Sequence, residues 1–273
     1  MSRIALAQIT SATDKAKNLK LAQELVREAK SKGARAIAFP EFLMAYSPSS
    51  QSAEELVRVA ESAEGPFART LCEAASNNHI DVLATIYEIS NVPHRVYDTA
   101  IWINGNGKPA AVYRKLHLYD ALGFKESDKF LAGDEVTAPV KSDIGQCGML
   151  ICYDLRFPEL ARILTLMGAN VLLAPSGWVQ GEKKIEHWHT MVRARALENG
   201  CYVIAPDQVE NIYIGHSLVV DPFGNIVLDM KKHEGLSLVE LDLTLVAETR
   251  EKLPLLKNRR VDVYSKYIAP KRP

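Results

Sequence analysis

At 273 residues the chain can bury a full core, and α/β proteins of this length often form one domain. Lysine plus arginine and aspartate plus glutamate number 33 each, so no global field favours nucleic acid or an anionic membrane. Met1 to Thr10 lack the basic region and apolar run of a signal peptide, and no stretch approaches the roughly 20 apolar residues of a membrane span. Cys72, Cys147, Cys152 and Cys201 lie far apart with no C-x-x-C pair, which points to reduced thiols in a cytoplasmic protein.

In chain order, Ile4 to Ile9 reads as a strand. Leu19, Ala22, Leu25, Val26 and Ala29 recur at helical spacing, and Gly33 suits the end of that helix. Ala36 to Phe39 follows as a strand that stops at Pro40, so the three elements form a parallel crossover unit. Thr99 to Ile103 and Ala110 to Tyr113 flank Asn104-Gly105-Asn106-Gly107 as a hairpin. Gly148 to Ile151, a helix over Pro158 to Met167 and a strand over Asn170 to Ala174 repeat the crossover, which suggests two related halves. A long helix over His187 to Glu198, a strand over Tyr202 to Ala205 and a hairpin over His216 to Asp229 complete the pattern. Nothing reads as a linker, so residues 1–273 are expected to form a single domain with a short tail from about 260.

Three positions carry chemistry. Cys152 sits where an apolar strand ends and a polar turn, Tyr153-Asp154-Leu155-Arg156, leads toward a helix. A strand-to-helix elbow exposes a nucleophile and sets the next backbone N–H beside it, and a helix N-terminus favours the thiolate. A buried structural cysteine is the plainer alternative. Glu41 ends another strand, where Phe39 and Phe42 would desolvate it and suit it to general-base work; a loop carboxylate paired with a cation is the alternative. Lys115 directly follows a hairpin strand, where its ammonium could hold an oxyanion or simply be solvated.

Phe39-Pro40-Glu41, Tyr113-Arg114-Lys115-Leu116-His117 and Ile151-Cys152-Tyr153-Asp154-Leu155-Arg156-Phe157-Pro158-Glu159 occur in the order and spacing found in the nitrilase, or carbon–nitrogen hydrolase, superfamily. The chain resembles that superfamily from Ile4 to about Arg260, including Ala174-Pro175-Ser176 and the stretch from Gly215-His216-Ser217 to Asp221-Pro222. The resemblance implies an α/β fold, a four-layer α-β-β-α sandwich, pairing as a homodimer. It also implies a second glutamate after the lysine, which Glu126 fits.

By that resemblance Glu41 takes the proton of Cys152, the thiolate attacks an amide carbonyl, and Lys115 with the Tyr153 backbone N–H holds the oxyanion. Glu126 would position Lys115 and substrate. No cofactor enters the scheme, and the expected partner is a small-molecule amide. Metal hydrolysis would have to use Glu186, His187 and His189, which lack the H-E-x-x-H spacing; no metal site is expected.

Tyr153-Asp154 replaces the Trp-Glu of true nitrilases, and Cys152 to Leu160 is similar to the omega-amidase and deaminated glutathione amidase branch. Such substrates carry a carboxylate, for which Arg156 is the candidate cation; pairing with Asp154 or Glu159 is its structural alternative. Tyr119, Phe124 and Trp178 are expected pocket walls. An N-carbamoyl amino acid hydrolase is the alternative activity, disfavoured by Leu155 in place of a second arginine, and an idle binding protein on this fold is the alternative of another class. Cys147 and Asp98 depart from the family pattern, and neither is expected to touch the catalytic set.

Overall fold

Ile4 and Leu6 are buried on one side of the first strand, and Ala5 and Ala7 are buried on the other. A strand without a wet face must be covered on both sides, and this requirement sets the layering. The computed structural model describes residues 2–268. Its first half runs β1 (Ser2–Gln8), α1 (Lys15–Ser31), β2 (Ala36–Ala38), α2 (Ala53–Val59), α3 (Pro66–Asn78), β3 (Asp81–Ile89), β4 (Val96–Ile103), β5 (Pro109–Arg114) and β6 (Phe130–Leu131). The second half runs β7 (Val140–Ser142), β8 (Gly145–Met149), α4 (Pro158–Leu166), β9 (Val171–Leu173), α5 (Lys184–Asn199) and β10 (Tyr202–Ala205). After these come β11 (Val209–Glu210), β12 (Tyr213–Ile214), β13 (Leu218–Val220), β14 (Ile226–Asp229), β15 (Gly235–Leu241), α6 (Thr244–Lys252) and α7 (Val261–Ile268).

Two large sheets result. One has the order β15-β1-β2-β3-β4-β5 with β6 beside β4, and the other has the order β14-β13-β10-β9-β8-β7. Ile4, Leu6, Ala38, Leu83 and Trp102 of the first sheet pack in one cluster with Met149, Leu172 and Ile204 of the second. Leu160 and Leu164 of α4 and Trp188 and Val192 of α5 cover the second sheet within that cluster. Ala5, Ala7, Ile37 and Val82 face the opposite way, against Val26 of α1 and Leu71 of α3. The order of layers is therefore α-β-β-α.

The two crossover units are present, β1-α1-β2 in one sheet and β8-α4-β9 in the other, each with its strands parallel. Gly33 closes α1 at φ +81°, donating to the Lys30 carbonyl while Ala34 donates to that of Ala29. The strand β15 returns antiparallel to β1, from Ser2 opposite Leu241 to Gln8 opposite Gly235, a pairing across the length of the chain. Val261–Ile268 is a helix within the segment expected to be tail, and residues 269–273 lie outside the described ones. Among the described residues, no helix is long and apolar enough to cross a membrane.

Candidate active site

β2 ends at Ala38 and, through Phe39 and Pro40, delivers Glu41, while β8 and Ile151 deliver Cys152, so both residues leave the C-terminal ends of parallel strands in facing sheets. Cys152 adopts φ +44°, a region costly for any residue with a Cβ. Its backbone is tied on both sides. Its N–H donates to the Pro175 carbonyl at 3.0 Å, and the Asp154 carboxylate accepts from the Ile151 N–H at 2.8 Å and the Tyr113 hydroxyl at 2.6 Å. Asp154 also accepts from the His117 N–H at 3.0 Å, which fastens the loop after Lys115 to the elbow. The Tyr153 N–H has no acceptor among the described residues.

The residues after Cys152 form a short 3-10 turn, Cys152–Arg156, and the α-helix starts only at Pro158. The expected help of a helix N-terminus is therefore absent. Burial pushes the Cys152 thiol well above the ordinary thiol range, the charge of Glu41 adds to this, and Lys115 opposes it. The resting group is a neutral thiol.

Glu41, Lys115 and Glu126 form a hydrogen-bonded row. Lys115 Nζ donates to Glu41 at 2.7 Å and to Glu126 at 2.8 Å. The second oxygen of Glu41 accepts the Gly177 N–H at 2.6 Å, and that of Glu126 accepts the Tyr119 N–H at 2.6 Å. Glu41 and Lys115 are almost wholly buried, so the charges compensate one another rather than meeting water. Burial works against the Lys115 charge, but Glu126 and then Glu41 hold the ammonium well above the ordinary lysine range. Burial raises the Glu126 carboxyl, with Lys115 pulling it back. The Gly177 backbone N–H, by contrast, pulls the Cys152 thiol slightly back down. A Cβ at Gly177 would stand 2.9 Å from the Phe42 ring, which is why glycine sits there.

A cleft opens over Cys152 between Tyr119, Tyr153, Arg156, Trp178 and Lys184. The Arg156 guanidinium lies 4.7 Å from the Trp178 ring centre, and the Lys184 ammonium lies 5.8 Å from it. Among the described residues neither cation has a carboxylate partner, and Asp154 is occupied by Tyr113, His117 and Ile151. The alternative in which Arg156 pairs with Asp154 or Glu159 is therefore not what the structure contains. Lys184 is only 6 % exposed, and its ammonium donates to the Tyr119 hydroxyl at 2.7 Å.

Glu41, Lys115, Glu126, Cys152 and Tyr153 thus come together, with Tyr119, Arg156 and Trp178 around the cleft. Phe124 does not line it. Its ring stacks on Tyr119 at 5.4 Å and is 40 % exposed. Asp98, expected to stand apart, instead lies 3.8 Å from Lys115 Nζ and is fully enclosed. Lys184 and Gly177 carried no sequence signal, since one sits in the polar run Gly181-Glu182-Lys183-Lys184 and the other before an aromatic residue.

Among the described residues, two groups bring three possible metal ligands together. Glu41, Asp98 and Glu126 surround the Lys115 ammonium, which already serves as their cation. His189, His216 and Asp229 form the other group, and Lys231 is ion-paired to Asp229 at 2.6 Å. His187, considered with His189, is exposed on the other side of α5.

A cysteine at a strained strand end, facing a buried Glu-Lys-Glu row in an α-β-β-α sandwich, defines a cysteine-based hydrolase site. Residues 3–251 match the carbon–nitrogen hydrolase family. The chain belongs to that family. It is 35 % identical to "Probable hydrolase nit2" of Schizosaccharomyces pombe, over 97 % of this chain and 99 % of the relative. It is 34 % identical to the deaminated glutathione amidase of Escherichia coli O157:H7, over 89 % of this chain and 92 % of the relative. Among solved structures, an amidase mutant from Nesterenkonia sp. AN1 superposes with a TM-score of 0.81 at 25 % identity, covering 98 % of this chain and 100 % of that one. It shows acrylamide added at that protein's active-site cysteine.

Proposed function

We propose that the chain is an amidase that hydrolyses a linear, carboxylate-bearing amide through a thioester on Cys152, with deaminated glutathione as the first substrate to try and α-ketoglutaramate as the second. The observation that carries this reading is the cleft. A buried thiol lining it meets the Glu41–Lys115 pair, while two cations without acidic partners among the described residues, Arg156 and Lys184, stand at its wall. A substrate carboxylate supplies the missing anion, and an arginine fork can hold it bidentately. The similarity to a deaminated glutathione amidase and the cysteine adduct in the Nesterenkonia amidase support the same reading.

The steps follow from the neutral thiol. Glu41 takes the Cys152 proton as sulfur adds to the amide carbon, so a free thiolate need not accumulate. Lys115 donates hydrogen bonds through two of its three N–H groups to Glu41 and Glu126, and the third, with the Tyr153 N–H, receives the oxyanion. Glu41 returns the proton to the departing nitrogen, and ammonia leaves a thioester. Water, deprotonated by Glu41, adds to the thioester and releases the carboxylic acid, and the thiol recovers its proton. Glu126 keeps Lys115 in place. The protein acts as a homodimer in the cytoplasm.

The test is ammonia release from deaminated glutathione and α-ketoglutaramate side by side, with Cys152→Ala as the blank. Turnover of either above the blank supports the amidase, and the preferred one names the branch. Turnover of neither, with turnover of N-carbamoyl amino acids instead, replaces it with the carbamoylase reading.

A further inference from the structure

Asp98 lies in β4, with its carbonyl accepting the Lys115 N–H at 2.9 Å, so its side chain is carried to the Glu-Lys-Glu row by the strand pairing itself. It is 1 % exposed, and among the described residues neither carboxyl oxygen meets a donor. The nearest cation, Lys115 Nζ, is 3.8 Å away, beyond a hydrogen bond, and two of its protons already go to Glu41 and Glu126. Tyr87, opposite Asp98 in the β3–β4 register, gives its proton to the Ala45 carbonyl. Carboxylate oxygens of Glu41 and Glu126 lie with one of Asp98 within 4.8 Å of one another.

Three carboxylates around one ammonium would leave two uncompensated negative charges in a dry site, which is prohibitive. One carboxyl must keep its proton. Glu41 and Glu126 each receive two donors, and Asp98 receives none, so the proton belongs on Asp98. A protonated carboxyl must then give its O–H to an acceptor, and Glu41 is at hand. We propose that Asp98 is a positioning residue, a carboxylic acid protonated at neutral pH that donates a hydrogen bond to Glu41 and holds it as the ionised, correctly aimed base. Burial and the Glu41 charge both push the Asp98 carboxyl well above the ordinary aspartate range, in keeping with this assignment. The kinetic half of the proposal rests on Glu41 being the base, whereas the protonation of Asp98 does not.

Two variants and one spectroscopic signal test it. Asp98→Asn keeps a donor for Glu41 in the same volume, and Asp98→Ala removes it. Infrared difference spectra at neutral pH should contain the carbonyl stretch of a protonated carboxyl that vanishes in Asp98→Asn. Asp98→Asn should stay within a few-fold of wild-type kcat/KM. Asp98→Ala should lose about tenfold to a hundredfold, with the acidic limb of kcat/KM moved to higher pH. Absence of the band, or inactivity of folded Asp98→Asn, overturns the assignment. An acidic limb unmoved in Asp98→Ala overturns donation to the base. Full activity of Glu41→Gln would instead sink the mechanism while leaving the band in place, so the two failures differ.

Discussion

The ammonium of Lys184 lies 2.7 Å from the hydroxyl of Tyr119, buried, with no carboxylate beside it among the described residues. A buried cation without an anion is destabilising unless a ligand supplies the charge. Lys184→Met should therefore raise KM for carboxylate-bearing amides about tenfold or more, with a smaller change in kcat, and should change little for an uncharged short amide. Steady-state kinetics on both substrate types checks this; equal losses on both would remove Lys184 from substrate binding.

Lys115→Met strips the cation from three buried carboxyls. Removing one partner of a buried pair costs about 3–5 kcal/mol, and here activity should vanish as well. Denaturant unfolding should show the loss greatest at neutral pH and reduced in acid, where the carboxyls protonate. A variant as stable as wild type at every pH would contradict the geometry.

Asp98 makes a separate prediction about stability. Its folded-state affinity for a proton is raised well above the ordinary aspartate value of 3.8, so its contribution is full below that pH and is lost as pH rises toward the folded value. Over that window folding takes up one proton, worth about 1.4 kcal/mol per pH unit. Asp98→Asn does not titrate and should gain stability relative to wild type as pH rises from about 4. A difference independent of pH, measured by denaturant unfolding, would mean that Asp98 is ionised in the folded protein.

The cysteines should label unequally. Cys147 and Cys201 are enclosed, and burial pushes the Cys201 thiol up to about 12. In the native protein both should resist alkylation. Burial and Glu41 likewise keep Cys152 protonated past the ordinary value of 9.0, so its alkylation rate should rise with pH and show no inflection at or below that value. An inflection in the neutral range would point to a preformed thiolate pair.

Gly177→Ala should fold yet turn over slowly. A Cβ there stands 2.9 Å from both the Phe42 and Tyr213 rings, and the backbone shift that relieves this pulls the Gly177 N–H away from Glu41. A loss in kcat on the order of tenfold to a hundredfold is expected, with thermal stability only modestly lowered. Unchanged kcat would show that this N–H is not needed.

Glu41 and Cys152 at strand ends and Lys115 after a hairpin strand are each ambiguous alone, and it is their order and spacing together, through the family resemblance, that single them out. The layering comes from the family resemblance, and burial of β1 on both faces emerges only in the structure. What the sequence hides is what only tertiary contact creates. Lys184 looks like a solvated lysine until α5 begins three residues earlier than its pattern suggests and turns the side chain into the cleft. Asp98 looks like a polar interruption of a strand until the β4–β5 pairing sets it against Lys115. Phe124 sits near the motif in sequence, yet its ring stacks on the outside of Tyr119. The strand β15 pairs with β1 from the far end of the chain, a register that local periodicity does not encode.

The central claim is covalent catalysis at Cys152, and intact-protein mass spectrometry during turnover of a carboxylate-bearing amide tests it most directly. The predicted result is a transient mass increase equal to substrate minus ammonia, mapped to Cys152 and absent in Cys152→Ala. Ammonia release that continues in Cys152→Ala, with no adduct in the wild-type protein, would contradict it.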